Sequence, residues 1–444
     1  MKITKNSQKL ISFFKNKKHI NYVKPNNQTI DILHDLYNDV LEAYNYLMIL
    51  KKSNGNNLFH IQTKKIHTAS QITKPNNFNS NSFPELVRKH INETSVSEIS
   101  YTFSLFERNI KIIFTTEEPD TELKINSFNR YVDSIIIWLY ILNQYSSKQC
   151  ANTLTIYFYF TSLEKQLPDS NIFILDETNV NTAFTTTCPK DSEIVVYRKE
   201  EWFKVFIHET FHNFGLDFSD MNVSDCTNHI LNIFPVNSEV NLFESYTEFW
   251  AEIMNSVICS FYLLKNKTDT NEFFNNVITL IHYERIYSFF QMTKILQFMG
   301  LTYEDLYLNN HSSHILRENM YKERTNVLSY YIIKTILLNN YTGFLSWCKK
   351  HNLSLLQFKK TTKNLKDYCI FIYQNYKRTD LLKNIQHTES FLDNIYSNNG
   401  DNNTSKNVSK NTNNKSRTNY KINNKTDKYN FLLKNMRMCI CELD

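Results

Sequence analysis

Residues 205–217 read VFIHETFHNFGLD, and the pattern H-E-x-x-H at His208, Glu209 and His212 constrains the fold more than any other stretch. Two histidines four apart on a helix project from one face, about one turn from each other. Imidazoles so placed can share one zinc ion. The glutamate beside the first histidine is rotated about a third of a turn, which suits a base acting on water rather than a ligand. The pattern therefore asks for a helix, and its surroundings agree. Trp202, Phe203, Val205, Phe206, Ile207, Phe211 and Phe214 would bury most of a helix over about 199–214. Gly215 follows where a C-cap glycine belongs, which is informative in a chain with only 5 glycines.

A zinc hydrolase needs three protein ligands and one open position. One zinc-protease pattern takes a histidine or aspartate six residues after the second histidine. Here that position is Phe218, which cannot bind metal, and Asp217 lies one residue short. The other source is a helix over 238–264, SEVNLFESYTEFWAEIMNSVICSFYLL. On it Glu244, Glu248 and Glu252 fall at i, i+4 and i+8, among Phe243, Phe249, Trp250, Ala251 and Ile253. A carboxylate facing a core is costly unless it is paired or bound to metal. We therefore assign the stripe to metal binding or its support rather than to a solvated face. Asp217 and Asp220, at the exit of the first helix, can orient an imidazole. Arg198, Glu200 and Glu201 sit at its entry, where local ion pairs and acidic side chains near a helix N-terminus are favourable.

With these residues in view the chain resembles the zincins, and within them the gluzincins, whose third ligand is a glutamate on the helix after the active-site helix. In that family the first acid of E-x-x-x-D or E-x-x-x-E binds zinc, and the acid one turn on orients a zinc-binding histidine. Two registers fit, Glu244 with Glu248 or Glu248 with Glu252. The segment TEFWAE resembles the E-F-F-A-E of lethal-factor-like toxin metalloproteases, whose first glutamate is the ligand. The resemblance thus implies zinc held by His208, His212 and Glu248, with Glu252 supporting, Glu244 as the alternative ligand and Glu209 as catalytic base. Asn181, Thr182, Ala183 and Phe184 stand where thermolysin-like gluzincins carry an N-x-A-F or N-A-F substrate-binding edge strand. YRKEEWFKVFIHETFHNFGLDFS and YTEFWAEIMN also look like uncharacterised zincin-like proteins of large DNA viruses. The resemblance covers residues 178–256, roughly a fifth of the chain. It implies a zinc metallopeptidase acting on a protein or peptide substrate. The oxyanion would be stabilised by a residue such as Tyr246, His229, His282, Tyr283 or Arg285. The alternative is a catalytically silent zincin-fold structural or interaction protein, for example a virion component.

The expected fold class is α+β: a zincin-like lobe, with a small mixed sheet and the active-site helix, embedded in a largely α-helical chain of 444 residues. Strand-prone stretches at 98–114, 154–160, 180–187 and 193–198 supply the sheet, and 128–145 supplies a buried helix. Residues 53–83 and 219–237 read as irregular, and His60, His67 and His90 as surface residues. Helical breaks are expected near Gly300, 309–313, Gly343 and His351. The expected segments are a basic 1–25, a mostly helical 26–149, the catalytic core 150–265, a helical 266–395, a disordered Asn/Lys-rich 396–428 and a short docking helix in 429–444.

Nine Lys/Arg against two Asp/Glu between Asp401 and Arg437 carry the excess charge of a chain whose formal total is +6. The near-neutral remainder does not look like a nucleic-acid binder, so no stable nucleic-acid partner is expected. The 8 cysteines are scattered without C-x-x-C and are expected to be free thiols in a reducing compartment. No 18-residue apolar run exists, so no transmembrane segment is expected. With no recognisable secretory signal, the expected location is intracellular, in host-cell cytoplasm or virion.

Overall fold

The computed structural model describes residues 2–15, 20–55, 58–400 and 427–444; the expected low-complexity segment lies mostly outside these. The chain is a mixed α and β protein built on one six-stranded sheet. Its strands are β1 (His60–Lys65), β2 (Ser97–Leu105), β3 (Arg108–Thr116), β4 (Thr153–Phe160), β5 (Ala183–Thr185) and β6 (Asp191–Val196). The spatial order is β1-β2-β3-β4-β6-β5. β3, β4 and β6 run parallel, and the outer pairs are antiparallel.

β2 and β3 form a hairpin whose two-residue turn puts Phe106 and Glu107 at φ 52° and 63°. Positive φ at both central residues matches the right-handed twist of the strands. Phe106 is held there by stacking on Tyr46, with ring centroids 5.3 Å apart.

Covered parallel strands read as continuous apolar runs, and LTIYFYF in β4 is one. Ile156, Phe158 and Phe160 face the main helical core. Tyr157 and Tyr159 point the other way, into a second layer with Phe83, Val195 and Tyr197. On the first face lie the helix Ile125–Tyr145 and the histidine helix Trp202–Asn213. Trp138 Nε1 donates to Thr210 Oγ1 at 2.7 Å and pins one to the other. The glutamate helix Leu242–Leu263 packs across the histidine helix, and Thr270–Phe298 packs behind it.

β1 lies in a stretch read as loop, and the helix Ser224–Ile233 lies in one read as irregular. Both are short, and each draws its order from a neighbour: β1 pairs with β2, and Ile230 is buried under the helical layer. Of 180–187 only three residues form a strand, at the sheet edge. Gly343 falls inside the helix Tyr341–His351, and the break is one turn earlier, at Asn340. Cys150 and Cys188 are disulfide-bonded, against the expectation of free thiols; the other six cysteines are free and buried. The two half-cystines lie 38 residues apart in sequence, and only the pairing of β4 with β6 brings them together. Among the described residues, no helix is long and apolar enough to cross a membrane.

Candidate metal centre

The histidine helix begins after an unusual residue. Glu201 is its N-cap with φ 58°, a left-handed conformation rare outside glycine. Its side chain does not cap its own helix. It accepts from the amides of Met438 and Cys439 at 2.8 and 2.6 Å and pairs with Lys165 at 2.6 Å. Glu200 accepts from the backbone amide of Lys165. Arg198 donates to the carbonyls of Asn181 and Thr178, at 3.2 and 2.6 Å. The expected local ion pairs are thus replaced by links to distant segments. At the other end Gly215 has φ 65°, as a C-cap glycine should, and its amide donates to His212 O at 3.0 Å.

His208 and His212 turn their Nε2 atoms toward each other at 3.1 Å. Glu244 Oε2 completes a triangle, 3.1 Å from His208 Nε2 and 3.4 Å from His212 Nε2. Behind the triangle each ring is tied at Nδ1. His208 meets Glu248 Oε2 at 2.9 Å, and His212 meets Asp217 Oδ2 at 2.5 Å. A neutral imidazole that donates Nδ1–H to a carboxylate presents a lone pair at Nε2. Two such lone pairs facing each other beside a carboxylate repel unless a cation lies between them. Ligands about 2.0–2.2 Å from a tetrahedral zinc are themselves about 3.3–3.6 Å apart, close to this triangle. His208, His212 and Glu244 could therefore hold a metal ion.

The resemblance implied Glu248 as ligand and Glu252 as its support. The structure instead puts Glu244, the alternative, at the triangle. Glu248 takes the supporting place, and its other oxygen lies 2.5 Å from Lys204 Nζ. Glu252 is one turn too far along and pairs with Lys334 at 2.5 Å. Asp217 stands where the sequence reading put it, braced by the Ser219 hydroxyl at 2.9 Å. Asp220 does not touch a histidine; it pairs with Lys360 at 2.8 Å.

The site is enclosed. His208, Glu209 and His212 are 5%, 7% and 9% exposed. Burial, and then the charge of Glu244, push the Glu209 carboxyl upward, while His208 and His212 pull it down; the net shift is upward. Burial opposes the charged form of Glu244, but the two histidines outweigh it and hold its carboxyl well below the usual range.

None of the suggested oxyanion residues reaches the site. Tyr246 donates to Leu356 O, Arg285 to Leu338 O and Asn21 O, and His229 and His282 pack against Tyr373 and Tyr22. Tyr283 is partly buried against the helical core. The residue sequence reasoning missed is Tyr330, in the π-helical turn Leu328–Ile333. Its hydroxyl donates to Glu244 Oε2 at 3.0 Å, and its ring lies 5.8 Å from that of His208. Burial, then Glu244 and Glu209, raise its pKa well above the ordinary value, so it stays a donor. A π turn often marks a functional position, but this one carries no sequence signature. The cleft joins Tyr330, His208 and Glu209 to Thr182 and Ala183 beside edge strand β5, and to Met438 of the C-terminal segment.

No family model matches the sequence, and no solved structure matches the chain. One similar protein is an uncharacterized protein, R210, of Acanthamoeba polyphaga mimivirus, 28% identical over 204 residues. The match covers 44% of this chain and 50% of the mimivirus protein, so the chain spans about half the length of that relative. The likeness points to a protein of large-DNA-virus type.

Proposed function

We propose that the chain is a zinc-dependent metallopeptidase of gluzincin type, with His208, His212 and Glu244 as ligands. One observation carries the reading: two imidazole nitrogens and a carboxylate oxygen converge in one triangle while both outer ring nitrogens are held by carboxylates. Zinc bound there would supply a Lewis acid that polarises a carbonyl and acidifies water. Glu209, next to His208 and lining the cleft, is placed to take the proton of the attacking water and pass it to the leaving amine. Tyr330 is suited to donate its hydroxyl to the developing oxyanion. Edge strand β5 has no neighbouring strand on its outer side among the described residues, and an extended peptide could lie there.

The test is direct. Elemental analysis of the native protein should give about one zinc per chain, lost in His212→Ala. Glu209→Gln should keep zinc while peptide hydrolysis falls by about 10²–10⁴-fold. A metal-free native protein would end the reading. The enclosure of the site supports a second reading, a metal-stabilised structural protein without turnover. Zinc retained with no hydrolysis of a diverse peptide library by the unsubstituted protein would favour it.

A further inference from the structure

We propose that Lys204 is a positioning residue for the metal centre, acting through Glu248 on His208. The proposal rests on the metal reading above. Lys204 precedes His208 by four residues on the same helix, so both side chains leave the same face one turn apart. Glu248 reaches between them from the neighbouring helix. Its Oε1 lies 2.5 Å from Lys204 Nζ and its Oε2 lies 2.9 Å from His208 Nδ1. With one oxygen on each partner the carboxylate has no freedom to turn. The imidazole that depends on it is fixed in tautomer and in rotation.

The brace is cationic for a reason visible in the packing. Lys204 is 2% exposed and Glu248 1%, so neither charge is solvated. Glu244, Glu248 and Glu252 form one stripe, and carboxylates gathered on one buried face are costly unless each has a partner. Glu248 is paired with Lys204 and Glu252 with Lys334, while Glu244 faces the triangle where a metal cation would neutralise it. Without Lys204, Glu248 loses that partner and its hold on His208 loosens. His212 needs no such help. Its partner Asp217 is held by the hydroxyl of Ser219, off the stripe.

A buried ion pair that only stabilises the fold would show the same distances, so the test must separate the two. Zinc affinity is measured by competition with a chromogenic chelator on full-length protein, for the unsubstituted chain, Lys204→Met, Glu248→Gln and the double variant. Folding is checked by near-ultraviolet circular dichroism. If Lys204 acts through Glu248, each single variant binds zinc about 10–100-fold more weakly. The double variant then binds about as Glu248→Gln alone, because the second change removes a link already broken. Cobalt(II) titrated into the same proteins should show altered visible bands in all three variants, reporting a turned His208. Lys204→Gln, nearly as long and still a donor, replaces Lys204→Met if the latter does not fold, with the same pattern expected. Unchanged zinc affinity and cobalt bands in the folded Lys204 variant overturn the proposal, as do losses that multiply in the double variant. If the unsubstituted protein binds neither metal, the metal reading itself falls, which is a different result.

Discussion

Glu244 and Glu248 stand one turn apart on one helix, yet the structure gives them different work. Glu244 faces both Nε2 atoms, whereas Glu248 meets the Nδ1 of His208, on the side of the ring away from the triangle. Glu244→Ala should therefore abolish stoichiometric zinc binding, while Glu248→Ala should weaken it about 10–100-fold, by the usual cost of losing a carboxylate behind a ligand histidine. Zinc titration of both variants checks this, and equal losses, or a greater loss in Glu248→Ala, would return the register to the one that the TEFWAE resemblance implied. Tyr330→Phe removes one hydroxyl and leaves the ligands in place. It should lower kcat by about 10²–10³-fold with KM little changed, the pattern of an interaction made only in the transition state. A KM effect alone would make Tyr330 a substrate-binding residue. His208, Glu209, His212 and Asp217 were legible because their relation is local, set by the 3.6-residue period of one helix. The choice among three glutamates was not. All share a stripe, and only the height at which two helices cross decides which one meets the histidines.

At the level of elements, the histidine helix is held at its end by a loop rather than by its own sequence. Cys188 donates its amide to His212 O at 3.3 Å, and its disulfide to Cys150 ties that loop to the entry of β4. A Cβ on Gly215 would come within 3.5 Å of Cys188, so helix end and loop are in contact. The bridge closes a segment with a sequence separation of 38. A loop of this length corresponds to about 4 kcal/mol in the chain-entropy model of disulfide stabilisation. Reduction by a dithiol should lower the denaturant midpoint and raise the slope modestly, because the unfolded chain, freed of the cross-link, exposes more surface. No shift on reduction, with thiol titration showing two new sulfhydryls, would mean that the surrounding packing already fixes the loop. The same elements show what patterning can deliver. The buried strand β4 and the amphipathic helices were readable from apolar runs and helical spacing. β1 was not, because its polar residues carry no apolar pattern and take their order from pairing with β2 and from bonds to residues elsewhere, such as Glu122 and Thr73.

Across the whole molecule, the least expected feature is the seating of the C-terminal residues. The docking helix read from YNFLLKNMRMCICELD exists as Asp427–Lys434, but the residues after it run through the interior without pairing into the sheet. Buried amides and carbonyls must still find partners, and here side chains from distant elements supply many of them, alongside backbone bonds such as Met436 N–H to Lys165 O at 2.9 Å. Gln291 donates to Arg437 O, Tyr331 to Met436 O and Asn255 to Cys441 O, while Glu201 accepts from Met438 and Cys439. Glu284 accepts from the amides of Ile440 and Cys441, at 2.8 and 2.9 Å. Glu201 is also the N-cap of the histidine helix, and Met438 lines the cleft, so this strap joins residues 436–441 to the candidate metal centre. Glu284→Ala strands two buried amides at about 1–3 kcal/mol each. The variant should lose about 2–6 kcal/mol of stability in denaturant unfolding. Because Glu201 holds the strap independently, amide exchange should rise first at 440–441 and only weakly at 438–439. Uniform exchange across 436–443 would instead show that the strap is released as one unit. In that case zinc affinity should fall with it, since the helix that carries His208 and His212 loses the groups at its N-cap.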